Sequence, residues 1–479
     1  MSSRILRITV RLVAAGLAAV AAPVHGAEDW PRFRGPNGSG VSTSSGVPAA
    51  FGSDKLLQWK TPVPFGRSSP VVGGDRIFLT ASEGENLIVL ALDRPGGRIL
   101  WRREIPRTHR TPMYKFNDAA APTPVTDGAN VYAFFADFGL IAFDRDGKER
   151  WRVPLGPFDT FYGLGSSPIL SGDTLLLLCD TRRSPFLLAV DARTGTTRWR
   201  VERPETKLES YTSPVLWEAA GQPAQVIVLG ANRLDAYSVE TGERTWWLRG
   251  LASLPIASPV LGDGLLVVNT FGADTPPGPS WEEWLKSDAD RDGRLSEPEV
   301  RRQQKDFDEF GAIDVNADGF IDRAEWDSLR NAALGNHGLV AVKPGGRGDI
   351  TPAGLTWHNK KAAAFVPSPL VYQGLLYVVK SGGIIEAIDA ATGEIVKVGR
   401  SADALGEYYA SPVAADGKVF FTSEEGKITV LRAGRDWEIL AVNSLGEECY
   451  ATPAIAGGRI FVRTRSALYS FGEAKPGRR

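Results

Sequence analysis

Between residues 288 and 325, two twelve-residue stretches carry oxygen-bearing side chains at matching intervals. In DADRDGRLSEPE, Asp288, Asp290 and Asp292 hold positions one, three and five, and Gly293 at six permits a sharp bend. Arg294 offers its carbonyl at seven, Ser296 acts at nine through water, and Glu299 at twelve brings two carboxylate oxygens. In DVNADGFIDRAE the same places fall to Asp314, Asn316, Asp318, Gly319, the Phe320 carbonyl, Asp322 and Glu325. Oxygen ligands in this flexible arrangement suit calcium, whereas magnesium demands a smaller octahedron. Two calcium sites are therefore the expectation. One acidic surface loop can match by accident; two complete loops cannot.

Such loops need helices to hold them, and the flanks supply the pattern of a pair of EF-hands. Trp281, Trp284 and Leu285 form an apolar stripe entering the first loop, and Phe307 and Phe310 do so for the second. Leu295 and Ile321 stand at position eight of each loop, where a short β-contact is expected. Only Val300 to Ile313 separate the loops, so one helix is expected to leave the first and enter the second. That spacing argues for a compact structural module.

Around this segment runs a repeat. Ser or Thr, then Pro, an apolar pair, a glycine turn and an apolar run recur at Pro70, Pro124, Pro168, Pro214, Pro259, Pro369, Pro412 and Pro453. A second phrase follows most copies: an apolar strand, a Gly-bearing turn and a tryptophan, as in LLAVDARTGTTRW ending at Trp199. Together the phrases give four short strands, one blade of a β-propeller. The period is 41 to 54 residues, except between Pro259 and Pro369, where an insertion of about 60 residues restores it. The last copy lacks its tryptophan strand, and LLQWKTPV around Trp59 reads as the missing piece that closes the ring. The fold expected is all-β: an eight-bladed propeller with a small α-helical EF-hand insertion in blade five.

The Ser-Pro strands, the DARTG and DAATG turns and the opening DWPRFRGPNGSGVS resemble the pyrroloquinoline-quinone-like repeat propellers. That family includes quinoprotein dehydrogenases and the propeller of the outer-membrane assembly machinery. The resemblance covers the mature chain except the insertion, and is specific for fold rather than function. In quinoprotein dehydrogenases it implies adjacent cysteines, a tryptophan platform and a carboxylate-held calcium beside the quinone. Here Cys179 and Cys449 stand far apart and no such cluster appears in a blade, which argues against a bound quinone. The two thiols are expected to be separate, each buried or half-buried.

The domain reading is a signal peptide over 1–27, an N-terminal extension over 28–53, propeller over 54–273, the EF-hand insertion over 274–336, propeller over 337–472 and a tail over 473–479. Arg4, Arg7 and Arg11 precede an apolar run from Leu12 to Val24, too short for a membrane span, so export to the periplasm or beyond is expected. The formal net charge of -1 removes nucleic acid as a partner. A monomer is expected.

Segments preceding each repeat proline should surround one mouth of the central channel. They bring together Arg67, Asn117, Asp118, Tyr162, Glu209, Tyr211, Phe365, Glu407, Tyr408, Glu448 and Tyr450, a recognition surface on a rigid scaffold. His109, His337 and His358 have no neighbours suggesting a triad or zinc site. The function expected is a non-catalytic binding or assembly scaffold for a protein or polysaccharide. The alternative is a quinone-dependent dehydrogenase with an unfamiliar site.

Overall fold

Strands such as NLIVLALD (Asn86–Asp93) are buried along nearly their whole length. A continuous apolar run of that length makes a strand covered on both faces, and here the covers are the neighbouring blades. Fourth strands such as ILWRREIP (Ile99–Pro106) alternate buried and exposed positions, as an outer edge should. The computed structural model describes residues 29–473, apart from 116, 205–207, 254, 276, 277, 306, 308 and 309. The expected signal peptide lies outside the described residues.

Eight blades of four antiparallel strands result, with Gly348–Asp349 added in parallel to the outer strand of blade 4. Blade 1 spans residues 71–106, blade 2 125–154, blade 3 169–202 and blade 4 215–249. Blade 5 spans 260–359, blade 6 370–400 and blade 7 413–444. Blade 8 joins residues 454–471 to Leu57–Pro62, with Lys60 opposite Tyr469, so the N-terminal strand closes the ring. No helix among the described residues is long and apolar enough to cross a membrane.

The repeat's tryptophans seal adjacent blades. Trp151 on blade 2 donates its indole N–H to the Ala192 carbonyl of blade 3 at 2.8 Å. Its ring lies beneath Gly195, which sits at φ +74°, and a Cβ there would meet the indole at 2.8 Å. The same contact recurs at Trp59–Gly97, Trp101–Gly147, Trp199–Gly242 and Trp357–Gly393. Gly195→Ala combines backbone strain with a ring clash, so a loss of about 1–3 kcal/mol is expected. Urea unfolding would measure it; an unchanged midpoint would show that the turn yields freely.

One tryptophan per blade does not hold throughout. Lys397 and Ala441 occupy the equivalent register in blades 6 and 7. There Trp437 of blade 7 packs back against Gly399 of blade 6, where a Cβ would meet it at 2.4 Å. An indole still fills the gap, supplied from the other side.

The N-terminal extension crosses one end of the ring. Trp30 bridges Val72 of blade 1, and the Pro31 carbonyl accepts the Thr126 N–H of blade 2 at 2.9 Å. Arg32 donates to the Pro214 carbonyl of blade 4 and Arg34 to that of Pro369 in blade 6, each at 2.6 Å. Ser42 then donates to Ala414 of blade 7 at 2.8 Å. Both guanidiniums are buried without a carboxylate partner among the described residues, and burial pulls their pKa values down to about 9.

The insertion leaves blade 5 after Leu265–Thr270 and returns at Gly338–Val342. It contains helices α1 (Trp281–Trp284), α2 (Glu297–Gln303), α3 (Phe310–Ile313) and α4 (Arg323–Ala333). A single helix between the loops was expected; instead α2 stops at Gln304, whose backbone is extended (φ -130°), and α3 starts separately. The Trp281, Trp284, Phe310 and Trp326 side chains form a small core of their own, with the Trp284 and Trp326 rings stacked at 4.2 Å.

Candidate functional site: an axial cavity and two acidic loops

The Ser or Thr before each repeat proline builds the axis. The Ser69 N–H donates to the Thr123 hydroxyl, Thr123 to Ser167, Ser167 to Ser213 and Ser213 to Ser258. The circuit continues through Ser368, Ser411 and Thr452 back to Ser69, with every step between 2.9 and 3.1 Å. Each blade therefore locks the next around the axis, and all eight residues line the central cavity. The repeat phrase contained these residues; only ring closure shows what they do.

Beyond the ring opens a cavity of about 620 Å³ with Phe33 of the extension in its lining. Its walls carry Tyr114, Phe161, Tyr162, Tyr211, Phe271, Phe365, Tyr409 and Tyr450, with Arg67 and Asn117. Rings pack edge-to-face along one wall: Phe161–Tyr162 at 4.8 Å and Tyr162–Tyr211 at 5.7 Å. The Arg67 guanidinium lies over the Tyr450 ring at 4.1 Å.

Of the mouth residues expected from sequence, Arg67, Asn117, Tyr162, Tyr211, Phe365 and Tyr450 line this cavity. Asp118 and Glu209 stand behind the wall as acceptors. Asp118 takes the Arg67 N–H at 3.0 Å, and Glu209 takes the Phe161 N–H at 2.6 Å together with the Tyr211 hydroxyl. Burial raises the pKa of both carboxyls. Glu407 accepts from Ser381, and Glu448 pairs with Arg465 at 2.9 Å; neither lines the cavity. Tyr408 is a correction: it is 3% exposed, packs into a blade core and donates to the Ala404 carbonyl. Its neighbour Tyr409 takes the place in the wall, because adjacent residues of an extended segment point to opposite sides.

The two acidic loops are near copies. Asp288 accepts the Gly293 N–H and Asp314 the Gly319 N–H, both at 3.0 Å. Glu299 reaches back to the Ala289 N–H at 2.8 Å and Glu325 to that of Val315 at 2.9 Å. Leu295 pairs with Ile321, joining the loops as a two-stranded sheet. Oxygens of Asp288, Asp290 and Asp292 lie within 4.8 Å of one another. Asn316 and Asp318 accept N–H groups inside their own loop, at 2.7 and 2.9 Å. Ser296 bonds Glu299 at 2.7 Å, and Asp322 caps α4 by accepting from Glu325 N. The Arg294 side chain turns away to Asp292 and over the Phe320 ring. The carboxyls at position twelve differ: the Ser296 hydroxyl lowers the pKa of Glu299, whereas burial raises that of Glu325. The second loop rests on blade 3, where Arg183 donates to the Asn316 carbonyl at 2.9 Å and Arg182 to that of Gly311.

Residues 333–479 match the family model described as outer membrane protein assembly factor BamB. Over that segment the repeats are similar to the PQQ-like, BamB type. The BamB of Moranella endobia (strain PCIT) is 26% identical over 242 residues, which is 48% of this chain and 57% of that protein. This chain thus spans a little over half the length of that relative. BamB from Moraxella catarrhalis superposes with a TM-score of 0.53 at 14% identity, covering 88% of this chain and 100% of that one. A europium-containing methanol dehydrogenase reaches 0.60 at 12% identity, with 94% and 98% covered. At these identities the solved structures share the fold alone.

The cofactor that names the repeat finds a poor fit in this cavity. No carboxylate stands among its lining residues to hold a cation beside a quinone. Cys179 and Cys449 are single buried thiols in different blades.

Proposed function

We propose that this chain is an exported, calcium-binding propeller that acts as a non-catalytic binding or assembly scaffold. The observation that carries this reading is the axial cavity: aromatic rings, hydroxyls and one guanidinium on a closed, hydrogen-bonded ring. Such a surface recognises a partner without offering a nucleophile–base pair. The similarity to a protein described as an outer membrane assembly factor supports both an assembly role and a place outside the cytoplasm. The partner is a protein or polysaccharide that reaches the cavity from its open rim.

The acidic loops would each hold one calcium, through Asp288, Asp290, Asp292, the Arg294 carbonyl, Ser296 and Glu299 in the first. In the second, Asp314, Asn316, Asp318, the Phe320 carbonyl, Asp322 and Glu325 would serve. Their repeated geometry supports two equivalent sites, and their contact with blade 3 makes the module a fixed part of the scaffold.

Calcium titration by calorimetry on the mature chain tests this. Two sites are expected, with dissociation constants on the order of 10⁻⁴–10⁻³ M as in extracellular modules, and both should vanish in Asp288→Ala/Asp314→Ala. No heat at about 10 mM calcium, roughly tenfold above that range, would sink the metal assignment.

A further inference from the structure

The axial cavity has an excess of hydrogen-bond donors. Each ring hydroxyl accepts a backbone N–H from the adjacent blade, and none donates its own proton to a described residue. Arg67 adds a guanidinium that donates to no described residue. Its nearest carboxylate, Asp118, lies 3.8 Å from Nε, beyond hydrogen-bond reach, and is already occupied by backbone N–H groups. Donors without protein acceptors in a half-enclosed cavity are bonded to water at best, and a ligand that carries acceptors can complete them in its place. That ligand must bring acceptor oxygens and an anionic group for the guanidinium, which favours the planar, two-oxygen geometry of a carboxylate.

Shape narrows the choice. Phe33, from the extension that crosses one end of the ring, stands in the cavity lining. At the rim Phe271 and Phe365 pack edge-to-face at 5.1 Å yet remain 43% and 58% exposed. Apolar surface left open at the mouth of a cavity marks a ligand that continues outward. A donor-rich cavity with an apolar lip at one end and the extension crossing the other suits a chain end better than a chain segment or a small acid.

We propose that the cavity binds the C-terminal end of a partner polypeptide. Its terminal carboxylate meets Arg67, its last side chain, aromatic or large and apolar, lies among the tyrosine and phenylalanine rings, and its carbonyls accept from the hydroxyl ring. The preceding residues cross Phe271 and Phe365. This rests on the cavity being the scaffold's binding site.

The test uses the mature chain and a fluorescein-labelled peptide, Gly-Ser-Gly-Ala-Phe, as free acid and as C-terminal amide, read by fluorescence anisotropy. The acid should bind about 10- to 100-fold more tightly than the amide, the range for a charge-assisted hydrogen bond. Arg67→Gln should erase that difference and Arg67→Lys restore part of it. Phe365→Ser, at an exposed position where folding is not at risk, should weaken the peptide by a larger factor than it weakens hydrocinnamate. Equal binding of acid and amide, no binding of either, or hydrocinnamate binding as tightly as the peptide would each overturn the inference. Calcium titration of the same sample separates the outcomes. A chain that binds calcium but distinguishes no C-terminus loses this inference alone, and one that binds the acid without calcium loses only the metal assignment.

Discussion

A chain beginning at Asp54 is expected to unfold at a clearly lower denaturant concentration than one beginning at residue 28. The deleted segment contributes Trp30, Val47 and Phe51 to the core, at 0%, 2% and 4% exposure. At roughly 2 kcal/mol for each buried large apolar side chain, their loss costs about 6 kcal/mol. Backbone bonds to blades 1, 2 and 7 go with them. Arg32 and Arg34 oppose this, because two uncompensated buried guanidiniums are expensive and deletion returns them to water. The apolar loss is the larger effect, since each guanidinium recovers part of its cost through a carbonyl. Urea unfolding followed by tryptophan fluorescence, on both chains, measures the difference. Matching midpoints would mean that the extension merely lies on a ring already stable without it. The deletion also removes Phe33 from the cavity lining, and the acid-specific peptide binding should weaken with it.

Arg203→Met should be nearly as damaging for a different reason. Arg203, at 3% exposure, holds the fully buried Asp180 with two bonds of 2.8 and 3.1 Å, and reaches Asp235 at 3.0 Å and the Tyr237 hydroxyl at 2.7 Å. Asp235 keeps its hydrogen bonds to Arg233 in the variant, whereas Asp180 loses both of its Arg203 bonds and keeps only the weaker field of Arg233. Removing one partner of a buried pair costs about 3–5 kcal/mol, because the charge left behind is uncompensated. The pH dependence follows from Asp180. Burial already raises its pKa above the unfolded value, and losing Arg203 raises it further. A carboxyl with a raised folded pKa destabilises the fold once pH exceeds its unfolded value, and the penalty is complete above the folded one. The deficit of Arg203→Met is therefore largest at neutral pH and shrinks as pH falls toward about 4, the unfolded carboxyl value. Thermal melts of both proteins from pH 4 to 8 would show it. A pH-independent gap would locate the loss in packing alone.

Much of the architecture was legible from spacing. Eight Ser/Thr-Pro phrases, turns such as DARTG, and the strand around Trp59 that completes the last copy were enough to count blades and close the ring. A local rule repeated eight times leaves a strong trace, because every copy solves the same packing problem. The acidic loops were legible for a similar reason, since their geometry depends on neighbours within twelve residues. The departures lay where contacts are long-range. Trp437 serves blade 6 from blade 7, and nothing within the repeat signals an indole supplied from the opposite direction. Tyr408 and Tyr409 stand side by side in GEYYA, and only the packed structure distinguishes the core residue from the wall residue. DWPRFRGPNGSGVS marked a resemblance in sequence; in the structure it is the piece that crosses the bore.

The sequence by itself determined the blade repeat, its closure by the N-terminal strand, the place of the insertion and the twelve-residue loops, since each depends on residues near one another in the chain. Tertiary structure alone decided the hydroxyl ring, which mouth residues reach the cavity wall, and the Arg67 guanidinium held only by a long ion pair to Asp118. Those features join residues from eight blades, up to 383 positions apart in the bond from Thr452 to Ser69. Whether a hydroxyl or guanidinium finds an acceptor depends on what the other blades bring to the axis, and spacing along a chain carries no information about that.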